Sequence, residues 1–130
     1  YTGIDINERF IENARIKYPD AKFCVQDIES SDLSESFDYI FICGVFNLKV
    51  QGLEDTIRIT LKKLFKSCTK ALAFNALSAY NPNKDYEYNY IYPDEIFSFT
   101  VKNLSPYIVL RHDKLYYDFV MFIYKESNMI

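Results

Sequence analysis

Residues 2–28 read TGIDINERFIENARIKYPDAKFCVQDI. Two short apolar runs, each closed by an acid, flank a stretch with a different periodicity. TGIDI carries a β-branched or apolar residue on each side of Gly3 and reads as a short buried strand that delivers Asp5. In NERFIENARIKYP, the residues Phe10, Ile11, Ala14 and Tyr18 recur at helical spacing. Asn7 is placed to cap that helix, and Pro19 stands just past its end. AKFCVQDI is a second strand, which the pattern carries through to its acid, Asp27.

The same alternation continues along the chain. ESSDLSES is polar loop material, and FDYIFICGVF is the strongest strand signal. Its near-continuous apolar run is what a parallel strand covered on both faces requires. LEDTIRITLKKLFKSC is amphipathic, with Leu53, Ile57, Leu61, Leu64 and Phe65 on one side. KALAFNAL is a further apolar strand, after which residues 78–92 form a loop dense in Asn and Tyr. YPDEIFSFTVKNL starts as a helix, with Pro93 and then two acids at the positive end of its dipole. PYIVLRH and YDFVMFIYK follow as strands, and their short connection permits only an antiparallel pair. Strands and helices in this order predict one α/β layered domain over 1–130, closed by a hairpin.

Composition narrows the classes. A chain of 130 residues is at most one domain and long enough to bury a core. With 49% hydrophobic and 25% charged residues it reads as globular, not disordered. A net charge of -3 and the lack of a dense Lys/Arg patch argue against nucleic acid or anionic lipid as partners. No apolar run approaches a membrane span and no signal peptide is legible, so a reducing cytoplasm is the default compartment. Cys24, Cys43 and Cys68 are far apart, without a C-x-x-C pair. Cys24 and Cys43 lie in apolar runs, where buried free thiols are expected.

In open α/β sheets, ligands sit outside the carboxyl ends of the strands. Asp5 and Asp27 both fall there. A carboxylate at such a tip can accept from both hydroxyls of a ribose, each charge-assisted bond being worth about 1.5–3 kcal/mol. A second acid on the next strand can accept from the adenine amine, with Ile6 and Ile28 sandwiching the base. Gly44, at a third strand end, lets the backbone approach a ligand closely. The plainer alternative makes Asp5 a helix N-terminal charge and Asp27 a loop acid.

The stretch 2–28 resembles the second strand through the third of Rossmann-type S-adenosylmethionine-dependent methyltransferases. FDYIFICGVFNL is similar to the family's fourth strand, and YPDEIFSFTVKNLSPYIVLRHDKLYYDFVMFIYK to its usual ending, in which the last strand enters antiparallel. The resemblance covers nearly the whole chain. It implies Asp5 as the ribose acid, Asp27 as the adenine-side acid, and Ile6 and Ile28 beside the base. Gly44 and Val45 are implied to line the floor near the methionine part. Asn47, Tyr80 in the tyrosine-rich loop and His112 fall on the substrate side, next to a small-molecule acceptor. His112 is the sole histidine and adjoins Asp113, so it is a candidate base. Neighbours on a strand point to opposite faces, which favours an exposed turn histidine instead. No metal cluster is legible.

The family's first strand and glycine-rich turn have no counterpart here. Three glycines are spread along the chain and none forms G-x-G. The fold expected is therefore a Rossmann-like methyltransferase sheet lacking that strand and loop, with S-adenosylmethionine affinity weak or absent in this chain. Such a gap exposes two strand edges, at Asp5 and at Gly44. Either these strands pair directly, or a partner chain, for instance a second copy in a homodimer, fills the space. Two further readings stay open: a nicotinamide-dependent oxidoreductase, and a catalytically inactive domain used for binding or assembly. An antiparallel last strand inserted between its neighbours separates the methyltransferase from the oxidoreductase.

Overall fold

The computed structural model describes residues 1–127. In chain order the elements are β1 (Thr2–Asp5), α1 (Glu8–Lys17), β2 (Lys22–Val25), β3 (Phe37–Ile42), α2 (Leu53–Ser67), β4 (Cys68–Leu77), α3 (Pro93–Asn103), β5 (Ile108–Arg111) and β6 (Asp118–Tyr124). They form two compact units, Tyr1–Leu33 and Ser34–Ile130.

In the first unit β1 and β2 are parallel, with Gly3 opposite Phe23 and Asp5 opposite Val25. Gly3 is there for space: a Cβ on it would stand 2.6 Å from a carbon of the Phe23 ring. The crossover between the strands is α1. Asn7 caps it as expected, its Oδ1 accepting from the backbone N–H of Arg9 and Phe10 at 3.0 and 3.3 Å. Ile11 is the buried anchor of this helix, and Arg15 Nη2 donates to the Phe23 carbonyl at 2.9 Å. The second strand stops at Val25, short of the expected acid. Asp27 instead begins a turn, with its Oδ1 accepting from Glu29 N–H at 2.9 Å. Such a local side-chain bond competes with the ladder and ends the strand.

The second unit is a four-stranded sheet in the order β3-β4-β6-β5. β3 runs parallel to β4, while β6 is antiparallel to both β4 and β5. The last strand thus inserts between its neighbours against their direction, as expected. One sheet face holds the core: Ile42, Leu72, Phe74, Ala76, Phe119, Met121 and Ile123 are all buried. Phe74 meets Phe46 and Phe119 edge-on, at centroid distances of 6.0 and 6.1 Å. Helix α2 contributes Leu53, Ile57, Leu61, Leu64 and Phe65, the stripe predicted from its periodicity, and α3 contributes Ile96 and Thr100.

Two expectations need correction. β3 is not covered on both faces, because Tyr39 and Phe41 are 55% and 68% exposed. It is an edge strand of its sheet, and residues at its alternate positions point away from the core. Cys43 is exposed and Cys24 half-buried, while Cys68 is the buried thiol. Cys43 lies beyond the last residue of β3, where the apolar run outlasts the strand. Burial pushes the Cys68 thiol above its ordinary pKa, the nearby Lys125 opposing in part.

Candidate functional site

The expected site residues fall into two groups. In the first unit, Asp5 ends β1 and Asp27 follows β2 by two residues, at the same end of a parallel pair. The Gln26 amide donates to the Asp5 carbonyl at 3.1 Å, which carries the pairing one residue past the strands. Both acids are half-buried. Asp5 Oδ1 accepts from Asn7 N–H at 2.8 Å, so one oxygen orients the carboxylate and the other accepts nothing among the described residues. That arrangement suits an acid that must receive a further donor. Ile6 is 67% exposed beside it, and Ile28 is half-buried beside Asp27.

The second group lines the rim of the four-stranded sheet where β3, β4 and β5 end and β6 begins. Gly44 takes a φ of +68°, a left-handed conformation that a residue with Cβ adopts at a cost. Space around it is open, the nearest atom to an added Cβ being Asn47 Nδ2 at 3.6 Å. Its amide donates to Asn75 Oδ1 at 2.8 Å, which pins the turn to β4. Val45 is exposed next to it, and Asn47 is half-buried. The carbonyls of Phe46 and Asn47 accept from Asn89 Nδ2 and from the Asn89 amide, at 3.1 and 2.9 Å. Part of the Asn- and Tyr-rich loop is therefore laid against this turn by backbone bonds.

Tyr80 donates its hydroxyl to Asp94 Oδ1 at 2.8 Å, which holds its phenol above the ordinary pKa. His112 Nε2 lies 2.7 Å from the hydroxyl of Ser78, a fully buried residue that also accepts from the Tyr80 amide at 3.2 Å. His112 and Tyr80 are thus gathered on one serine. The His112–Asp113 pairing does not form. Asp113 turns to Arg111, with N···O distances of 3.1 and 2.7 Å, and this fork keeps its carboxyl below the usual range. Sequence reasoning missed Ser78 and Asn75. Asn75 had a signal, since it is the one amide inside the apolar run KALAFNAL. Among the described residues no cluster of His, Cys, Asp and Glu suits a metal, and no helix is long and apolar enough to cross a membrane.

The model of a methyltransferase domain matches residues 1–73, more than half of the chain. The chain belongs to the methyltransferase domain family. No curated protein sequence matches it. Solved structures do. One is the magnesium protoporphyrin IX methyltransferase from Synechocystis PCC 6803 with bound SAH, at 14% identity and a TM-score of 0.73. The match covers 96% of this chain and 64% of that one, so this methyltransferase domain chain spans just under two thirds of it. An S-adenosylmethionine-dependent methyltransferase from Clostridium acetobutylicum ATCC 824 aligns at 10% identity and TM-score 0.70, covering 93% of this chain and 73% of that one. The N-methyltransferase NodS from Bradyrhizobium japonicum WM9 does so at 13% identity and TM-score 0.65, covering 97% and 73%. Likeness at such identities establishes the methyltransferase fold, a mixed α/β sheet with an antiparallel strand among parallel ones.

Proposed function

We propose that the protein transfers a methyl group from S-adenosylmethionine to a small-molecule acceptor. The observation that carries this reading is Asp5: a half-buried carboxylate at the tip of a parallel strand, oriented through one oxygen and open at the other. Family membership supplies the reaction class; Asp5 and Asp27 suit the nucleoside part of the cofactor, while the lack of a G-x-G turn among these residues makes weak affinity the expectation for this chain. Asp5 would take the ribose hydroxyls and Asp27 the adenine amine, with Ile6 and Ile28 against the base. Gly44 and Val45 are carried over from the family resemblance as residues near the methionine part, and Gly44 puts no side chain there. The bound cofactor supplies a methyl on a sulfonium, which a nucleophile displaces. Methyl transfer is driven mainly by proximity and orientation, so the protein's contribution is to hold its ligands in place. Asn75 holds the Gly44 turn, and Ser78 holds His112 and the Tyr80 backbone, on the side where an acceptor would lie.

Isothermal titration with S-adenosylmethionine tests the reading. Asp5→Ala should weaken binding at least about a hundredfold, because two charge-assisted bonds of roughly 1.5–3 kcal/mol each are lost. Equal affinity in the variant and the parent would remove Asp5 from the site and the proposal with it.

A further inference from the structure

Ser78 stands one residue past β4 and His112 one residue past β5. They are 34 positions apart in the chain, and His112 Nε2 lies 2.7 Å from Ser78 Oγ. The serine is held from two sides. Its amide donates to the Tyr117 carbonyl at 2.9 Å, and Ile91 brackets it, donating to the Leu77 carbonyl and accepting from the Ala79 amide, each at 2.9 Å. Its hydroxyl is therefore a fixed point against which the imidazole rests.

The direction of the Ser78–His112 bond follows from counting. A hydroxyl has one proton to give and two lone pairs that receive. Ser78 Oγ already accepts from the Tyr80 amide at 3.2 Å, and its other partner among the described residues is His112 Nε2. The residue is wholly inaccessible, so bulk water does not take its proton. A hydrogen on Nε2 would make the hydroxyl accept twice and leave its own proton buried without an acceptor, which native structures rarely keep. With Nε2 unprotonated, the hydroxyl donates to it and both groups are satisfied. A neutral imidazole carries one N–H, which then stands on Nδ1. His112 is exposed as a residue, and its Nδ1 makes no hydrogen bond with a described residue. The neighbouring Asp113 is turned to Arg111 through both oxygens, and Lys114 makes no bond to the ring.

We propose that Ser78 is a positioning residue that fixes His112 as its Nδ1–H tautomer, so that the ring offers a ligand a hydrogen-bond donor and does not act as a general base. The inference rests on the methyl-transfer reading for its meaning. On the acceptor side, Nε2 is filled by the serine and Nδ1 already holds a proton, so neither nitrogen is free to take one from the acceptor. The free N–H instead orients a lone pair of the acceptor molecule, such as that of a carbonyl or carboxylate oxygen.

His112 is the chain's one histidine, so in protein without a histidine tag its ring nitrogens are read without ambiguity. Long-range proton–nitrogen correlation NMR on nitrogen-15-labelled protein, in mildly alkaline buffer where histidine is neutral, reports which nitrogen is protonated. The parent should show the Nδ1–H form as the major one. Ser78→Ala removes the donor and should return the ring to the Nε2–H form that an unconstrained histidine prefers. A purely structural role for Ser78 would not move the tautomer. A parent ring protonated on Nε2, alone or together with Nδ1, would overturn the proposal, and so would an unchanged tautomer in Ser78→Ala. The parent spectrum decides by itself if that variant does not fold. The tautomer is measured in free protein, so its outcome is separate from the titration with S-adenosylmethionine. An Nε2–H ring in a protein that binds the cofactor through Asp5 defeats this inference alone. An Nδ1–H ring in a protein whose cofactor affinity ignores Asp5 defeats the methyl-transfer reading alone.

Discussion

The unit Tyr1–Leu33 and the unit Ser34–Ile130 are built to different standards. The larger one has a continuous core, in which Leu61, Leu72, Met121 and Ile123 are wholly inaccessible. In the smaller one Ile11 is the only buried residue, under a pair of four-residue strands and a ten-residue helix. A two-stranded pair is marginal by itself, and ligand-binding segments are commonly drawn from the less stable parts of a fold. The acids expected to hold the nucleoside are mounted on the weaker piece. The acceptor-side residues are mounted on the stronger one.

The largest effect belongs to the larger unit. Phe74→Ala removes a ring that meets Phe46 and Phe119, and should cost about 3–5 kcal/mol, lowering the denaturant midpoint of the sheet. Unchanged stability would show that the sheet has no single core. Ile11→Ala should cost about 2–4 kcal/mol, and hydrogen exchange should show the loss confined to residues 1–33. Loss of protection spread evenly over 34–127 would erase the distinction between the units. Gly44→Ala meets open space, so its cost is the left-handed backbone alone, about 1–2 kcal/mol in a thermal melt. A neutral result would mean that the turn changes conformation freely. Phe41→Ser should be smallest, within about 0.5 kcal/mol, because that ring is mostly exposed.

A similar contrast separates the two faces of the four-stranded sheet. Phe119, Met121 and Ile123 are buried on one face, while Val109 and Phe41 on the other remain open. The alternation along β6 is hidden in sequence, because DFVMFIY is apolar on both sides. The run FDYIFIC likewise looks doubly buried, and only its place at the sheet edge shows otherwise. Periodicity located α1 and α2 to within a few residues, and Pro93 with the acids after it located α3. It overran β2, where Asp27 bonds its own backbone instead of continuing the ladder. For the site, the strand-end position of Asp5 was legible. The partners of His112 and Gly44 were not, because Ser78 and Asn75 lie more than thirty residues from them in the chain.

Local physics was enough to set the order of elements, the cap at Asn7, the proline start of α3 and the antiparallel closing hairpin, because each depends on residues within a turn or two of one another. Which strand sits between which, which apolar face is open, and which partners Gly44 and His112 find depend on contacts between distant segments. Those were decided only when the chain folded, since burial and hydrogen-bond satisfaction belong to the packed arrangement and to no single stretch of it.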